Sequence, residues 1–286
     1  MHNLNRSSHN VDHGIIHTKK GLSQEKKDFI DNENIKDDHV DYDNKASNGT
    51  LNTLSPKWTE AQTIERGIAY DLYGPTRPII RNHWAELQRN NGNIAIICPF
   101  CGLTDAVEMD HFIPRGKERL FPEYSTHYSN LIPLCHNCNH TKGDDWLENG
   151  QQIFFNAYFD RLDGIEILQC EISRDPSTGI ASSAIQLNIT GHENDICRRV
   201  VNTITRLNLL SKYSRDSNKI LRSKTIELKT EYELQNSRYA DQDDYVVAKR
   251  DVISRMSSNT DDCIAKLTYS AIANSDVYWD FIKSQL

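Results

Sequence analysis

Two Cys-x-x-Cys pairs constrain the fold of this chain more than any other feature of its sequence. Cys98 and Cys101 form the first pair, and Cys135 and Cys138 form the second. Each pair makes a tight knuckle that presents both sulfurs to one ion, so two pairs supply the four corners of a tetrahedral Zn²⁺ site. The spacing therefore predicts a closed, structural zinc site and leaves catalysis to other residues.

The segment between the two pairs is longer than a simple zinc ribbon needs, and it carries side chains that hydrolysis requires. Asp110 and His111 are adjacent, and Asn130 follows before the second pair. Metal-assisted hydrolysis needs a base that deprotonates water and positive charge on the oxygens of the group that is attacked. A neutral histidine suits the first task, because its unperturbed pKa of about 6.5 lies near working pH. A divalent ion held by a carboxylate suits the second.

The order of these motifs resembles the HNH endonucleases, a family with a ββα-metal active site. The resemblance rests on Cys-Pro-Phe-Cys from Cys98, Asp-His-x-x-Pro from Asp110, Asn-Leu-Ile-Pro-Leu-Cys from Asn130 and Cys-Asn-His-x-Lys from Cys138. A softer likeness, over residues 156–160 and 204–208, is to bacterial HNH proteins of mobile elements and phage-defence loci. The family implies metal-dependent hydrolysis of DNA.

The resemblance also implies a role for each polar residue. His111 is expected to be the general base, Asp110 to hold a catalytic Mg²⁺ or another divalent cation, and Asn130 to orient His111 through hydrogen bonding. Asn139 is the expected further metal ligand, because an amide oxygen suits a hard ion. His140 is the alternative, since many relatives carry His directly after the last Cys. The competing interpretation is a zinc-dependent nucleic-acid-binding module without catalysis, which the intact Asp-His pair disfavours.

Local clusters of basic residues predict contacts with DNA phosphates. The net charge of −7 argues against a generic nucleic-acid coat protein but not against a nuclease, because phosphate binding depends on local patches. One cluster follows the Asp-His pair, and another lies on one helical face at steps of three and four residues. The predicted contacts are Arg115, Lys117, Lys142, Lys212, Arg215, Lys219 and Arg222. For the helical residues, including Lys142, a solvated helix face remains the alternative.

The remaining sequence predicts an α+β chain in which a zinc-stapled ββα unit is embedded in a mainly helical protein. Residues 1–57 are polar, with few apolar residues to bury, and are expected to form a disordered tail. Residues 58–93 are expected to form a helical lead-in with a turn at Gly74-Pro75. Residues 94–192 are expected to be the nuclease domain with a small β-hairpin extension. Residues 193–286 are expected to form a helical region that carries the basic face.

Composition and the remaining cysteines bear on cellular context. No run approaches eighteen apolar residues and the N-terminus lacks an apolar core, so we expect neither a membrane span nor a secretory signal. The other cysteines are scattered, which is typical of a reducing cytosol, and a cytoplasmic protein is expected; they are Cys170, Cys197 and Cys263. The likeness to defence-locus relatives implies anti-phage defence and a controlling partner such as an ATPase. Oligomeric state and the choice between DNA and RNA stay open.

Overall fold

Two helices near the N-terminus contribute to the first hydrophobic core. The computed structural model describes residues 1–5, 19–92, 95–115 and 120–286, without the side chains of residues 75–79 and 236. Helix α1 (Gln24–Asn32) begins after Ser23, whose hydroxyl accepts a hydrogen bond from the Lys26 N–H. Such a cap satisfies one of the backbone donors that the first turn leaves without a partner. Helix α2 (Ile35–Ser47) follows directly.

The expectation of a disordered tail over residues 1–57 is wrong for these two helices. Ile30, Ile35 and Tyr42 are fully buried, and the two isoleucines pack in one cluster with Trp58 and with residues of the later elements. The segment holds few apolar residues, but those present lie on inward faces. Their burial therefore offsets the entropy of ordering the helices. Residues 6–18 of the predicted tail lie outside the described residues.

Two further helices lie within the segment 58–93. Helix α3 spans Thr63–Asp71 and helix α4 spans Tyr73–Asn90. The turn predicted at Gly74-Pro75 is wrong, because these residues belong to the first turn of α4 and the break falls at Leu72. A proline is tolerated there because the first N–H groups of a helix have no partner within the helix.

The two cysteine pairs frame a ββα unit, which confirms the predicted fold class. Strand β1 (Glu108–His111) pairs antiparallel with β2 (Leu131–Leu134), with His111 opposite Leu131. Helix α5 (His136–Lys142) follows at once and contacts β1. A short antiparallel pair, β3 (Leu147–Glu148) and β4 (Gln151–Gln152), comes next. The helix begins directly after Cys135, whose side chain caps it by accepting a hydrogen bond from the Cys138 N–H.

The described chain divides into two units, and each is discontinuous in sequence. The first unit comprises Met1–Gly164 and Asn194–Leu207, and the second comprises Ile165–Glu193 and Asn208–Leu286. The hairpin, β5 (Leu168–Arg174) with β6 (Ala181–Leu187), therefore belongs to the second unit. Helix α6 (Asp195–Arg206) belongs to the first unit. These units divide the chain differently from the expected boundaries at residues 94–192 and 193–286.

The hairpin belongs to the second unit because its apolar side chains pack against the C-terminal helices. These helices are α7 (Leu209–Gln235), α8 (Gln242–Ser258), α9 (Cys263–Asn274) and α10 (Asp276–Lys283). Ile172 of the hairpin shares one core with Leu221, Tyr245 and Trp279. The apolar C-terminal segment is therefore core, although Val277 stays exposed. None of the helices in the described ranges combines the length and apolarity that crossing a membrane requires.

Candidate metal centre and active site

The four paired cysteines converge at one buried point. Their sulfur atoms all lie within 4.8 Å of one another, and the Sγ atoms of Cys101 and Cys135 are 3.9 Å apart. A tetrahedral ion with Zn–S bonds of about 2.3 Å places its sulfurs about 3.8 Å apart. The donors therefore fit Zn²⁺ in both chemistry and spacing.

Backbone geometry shapes the first knuckle. The N–H of Gly102 donates to the carbonyl of Cys98 at 2.8 Å, and Gly102 has a φ of 67°, which favours glycine. A hydrogen bond from Cys138 lowers the pKa of Cys101, whereas the hydrogen bond with Cys101 raises the pKa of Cys98 to about 12. Because only thiolates ligate zinc, the ion would replace the protons that these thiols share.

His111 lies at the end of β1, and its ring is oriented by a backbone carbonyl. Its Nε2 lies 2.8 Å from the carbonyl oxygen of Ser125. A carbonyl can only accept, so Nε2 carries the proton and Nδ1 is the basic nitrogen of the neutral ring. Burial lowers the pKa of His111 to about 3, which keeps the ring neutral near pH 7. The whole residue is buried, with 8% of its surface exposed.

Asn130 acts on the backbone around β1 and β2. Its Oδ1 accepts from the Ile113 N–H at 2.7 Å and from the Tyr42 hydroxyl at 3.2 Å. Its Nδ2 donates to the carbonyls of Ile113 and Tyr124 at 3.0 and 3.2 Å. The predicted hydrogen bond to the ring of His111 is not among these contacts. Asn130 is thus a fully buried cross-link that fixes the segment after β1.

Asp110 forms a pair with a lysine that the sequence placed on the surface. The Nζ of Lys142 lies 2.8 Å from Asp110 Oδ2 and donates to the carbonyls of His111 and Gly143 at 2.9 and 3.2 Å. Lys142 is 2% exposed. Its predicted phosphate contact is therefore wrong, because its donors serve the protein interior. The lysine instead joins the end of α5 to the end of β1.

The carboxylate of Asp110 keeps an oxygen suited to a cation. Its buried Oδ2 contacts Lys142 at ion-pair distance but without the angle of a hydrogen bond. Burial raises the pKa of Asp110, and Lys142 opposes that rise. A carboxylate oxygen suits Mg²⁺ or a similar hard ion, and a cation bound at Oδ2 would compete with the Lys142 ammonium 2.8 Å away.

Asn139 is held by Glu108, which in turn contacts His136, and the motifs singled out neither of these two residues. Its Nδ2 donates to Glu108, whose other carboxylate oxygen lies 2.8 Å from Nδ1 of His136. The hydrogen bonds from Asn139 and His136 lower the pKa of Glu108. With the amide nitrogen occupied, the amide oxygen is the atom left for a cation. Spacing was the sequence signal that could have identified Glu108, since it lies two residues before Asp110 on β1 and so shares its face of the strand.

The alternative ligand, His140, is exposed on α5, where its ring stacks on that of His136 at 6.2 Å. It therefore lies one turn along the same helix surface. Asn139, held by Glu108, has the more fixed side chain of the two candidates.

A comparison with family models matches residues 98–145 to a model described as HNH endonuclease. Residues 98–145 are therefore similar to an HNH domain, and we use that name for this segment alone. Comparisons with curated proteins and with solved structures gave no significant match. The match spans both cysteine pairs, β1, β2 and α5, and it supports a nuclease-type function with metal binding.

The remaining predicted contacts fall in two places. Within the first unit, Arg115 follows β1 of the HNH domain, whereas Lys117 lies outside the described residues. The other four lie on α7 of the second unit: Lys212 is half-buried, and Arg215, Lys219 and Arg222 are exposed. Arg215 and Lys219 lie 3.7 and 2.6 Å from Asp216. This one carboxylate therefore offsets part of the positive charge of the helix face. Its contact with DNA stays a prediction.

Proposed function

We propose that the chain is a metal-dependent HNH endonuclease that hydrolyses DNA phosphodiester bonds, with His111 as general base. The observation that carries the proposal is the hydrogen bond between Nε2 of His111 and the carbonyl of Ser125. It fixes the tautomer and leaves Nδ1 to accept a proton from the attacking water. A neutral ring is required for this step, and burial favours the neutral form.

Substrate binding would strengthen the base. A phosphate beside the ring adds negative charge, which favours the imidazolium and raises the pKa of His111 toward working pH. Lys142 restrains the backbone carbonyl of the same residue, so the ring cannot shift without breaking a buried contact. His111 would thus be weakly basic at rest and more basic when substrate is bound.

The divalent ion would be held by Asp110 and Asn139. When bound, it would supply positive charge to the non-bridging and leaving oxygens of the phosphate. Asp110 offers a buried anionic oxygen, and Glu108 holds the amide of Asn139. The four cysteines would keep zinc in a structural role, because such a site has no open position for substrate.

A second candidate function is nucleic-acid binding without cleavage. It is favoured by the burial of His111, which is 8% exposed and would need a path to water and substrate. Anti-phage defence and control by a partner such as an ATPase rest on the resemblance alone, and a cytoplasmic location rests on the cysteine pattern. All three stay predictions.

Plasmid cleavage tests the proposal. The purified full chain is incubated with supercoiled DNA and Mg²⁺, Mn²⁺ or EDTA, next to His111→Ala and a matched control, His192→Ala, in the second unit. We expect metal-dependent cutting by the wild type and the control, and none by His111→Ala at equal zinc content. Zinc-loaded wild type that binds DNA but never cuts would favour the binding module, and cutting of RNA alone would change the substrate.

A further inference from the structure

The guanidinium of Arg115 lies against two aromatic rings of the helical lead-in, those of Tyr70 and Tyr73. Its Cζ lies 4.4 Å from the ring centroid of Tyr70 and 4.2 Å from that of Tyr73. Its Nη1 also donates to the carbonyl of Tyr70 at 3.2 Å. Cation–π contact with two rings restrains the guanidinium, and its N–H donors, which point outward in its own plane, are the groups that can bind an acceptor.

The C-terminal end of α3 organises this arrangement and the base together. The carbonyl of Ala69 accepts a hydrogen bond from Ser125 Oγ at 2.9 Å, and the carbonyl of Ser125 in turn orients His111. The neighbouring carbonyl, that of Tyr70, binds Arg115. Carbonyls at a helix C-terminus carry partial negative charge, which suits a cation. One helix end thus positions both an arginine and the imidazole.

Tyr73 connects the two groups directly. Its ring lies edge-on to the ring of His111, with centroids 4.8 Å apart and an interplanar angle of 62°. The same tyrosine stacks on Arg115. The arginine is therefore one aromatic ring away from the base, in a half-buried position.

The charge of Arg115 has little compensation from its described surroundings. Among residues 1–5, 19–92, 95–115 and 120–286, no carboxylate lies within 4.0 Å of the guanidinium, and one hydrogen bond engages it. A guanidinium has five N–H donors. A planar cation with free donor edges is suited to bidentate binding of a phosphate.

We propose that Arg115 binds a backbone phosphate of the nucleic-acid substrate beside His111, and that Tyr70 and Tyr73 are positioning residues that hold its guanidinium there. The inference rests on the proposed function and deepens it. It also means that the HNH domain alone lacks part of its substrate site, because both tyrosines come from helices that precede it.

Salt-dependent DNA binding tests the proposal in the full-length chain. His111→Ala provides a background that does not consume the probe, a labelled DNA duplex followed by fluorescence anisotropy at several NaCl concentrations. Each phosphate contact contributes about 0.9 to the slope of log K against log salt concentration. We expect Arg115→Gln to lower that slope by about 0.9 and to weaken binding.

The tyrosines are tested in the same background with Arg115 retained. Tyr70→Leu/Tyr73→Leu should lose a similar part of the slope, and Tyr70→Phe/Tyr73→Phe should recover it, because phenylalanine keeps the ring. The matched control is Arg174→Gln, since Arg174 also donates to a backbone carbonyl and lies over an aromatic ring, but in the second unit. Its slope should equal that of the background.

The outcomes separate this inference from the proposed function. An unchanged slope in Arg115→Gln, or a loss no larger than in Arg174→Gln, overturns the phosphate contact even if wild type cuts DNA. A lost slope with no cleavage by wild type keeps the contact and refutes the catalytic proposal. Zinc content and the urea midpoint serve as folding controls; should the double leucine variant lose zinc, Tyr73→Leu alone and Arg115→Gln decide the matter. Absence of any DNA binding overturns the inference.

Discussion

Replacing Lys142 with methionine should destabilise the HNH domain strongly, although the change removes a charge and adds an apolar side chain. The lysine side chain is 1% exposed and that of its partner Asp110 is 19% exposed. Removing one partner of a buried ion pair costs about 3–5 kcal/mol, because the other charge stays buried and unpaired. Since Asp110 keeps some contact with solvent, we expect a cost near the lower end, about 3 kcal/mol.

Zinc release during urea titration, read with a chromogenic chelator, reports on the unit that contains this pair. With a urea dependence of about 2 kcal/mol per molar, a loss of about 3 kcal/mol lowers the midpoint by about 1.5 M. Asp110→Asn/Lys142→Met should recover a large part of that loss, because the double variant no longer buries a lone carboxylate. Lys224→Met is the matched control, since Lys224 is a buried, ion-paired lysine of the second unit.

The reasoning is refuted if Lys142→Met shifts the midpoint by less than about 0.3 M, or if the double variant is no more stable than the single one. The first result would mean that the ammonium contributes nothing beyond its packing. The second would mean that the two carbonyls it binds, and not the carboxylate, set the cost.

Three further predictions concern the base and the two metal sites. Burial places the folded-state pKa of His111 at about 3, below its unfolded value of 6.5. The stability that the neutral ring contributes is therefore present above pH 6.5 and is lost as the pH falls toward 3, by up to about 1.4 kcal/mol per pH unit. The urea midpoint of His111→Gln should fall less steeply between pH 6 and 4 than that of the wild type, and equal slopes would contradict this. Cys135→Ser should lose bound zinc, measured by metal analysis, whereas the exposed Cys263→Ser should keep it. Glu108→Ala should weaken Mn²⁺ binding about 10- to 100-fold by electron paramagnetic resonance, with Glu166→Ala as control, and unchanged affinity would remove Glu108 from the site.

The zinc site and the ββα unit could be predicted because their determinants are local in sequence. The cysteine spacing fixes two knuckles, and the short motifs around Asp110 and Asn130 have a defined order. The helices of the N-terminal segment were missed for the opposite reason. Ile30 and Tyr42 are isolated apolar residues in a polar sequence, and only the tertiary structure shows that each lies on an inward face.

The side-chain roles were harder to predict than the fold, because several partners are backbone atoms. His111 is oriented by the carbonyl of Ser125. Every residue has a backbone carbonyl, so no sequence signal marks this one. Lys142 was assigned to the surface because most lysines are exposed. Its burial follows from the position of Asp110 across the helix–strand contact, which sequence spacing alone does not reveal.

The discontinuity of the first unit has a consequence for biosynthesis. Asp160 is buried against Arg199, which lies 2.6 Å away on α6, and the N–H of Phe155 donates to Thr203 of the same helix at 3.1 Å. The ribosome must therefore make the whole hairpin of the second unit before it delivers the helix that completes the first. A nascent chain that stops at residue 164 has its four cysteines, but the carboxylate of Asp160 and the N–H of Phe155 still lack their partners on α6. Assembly of the first unit is therefore completed only after residue 207 has left the exit tunnel.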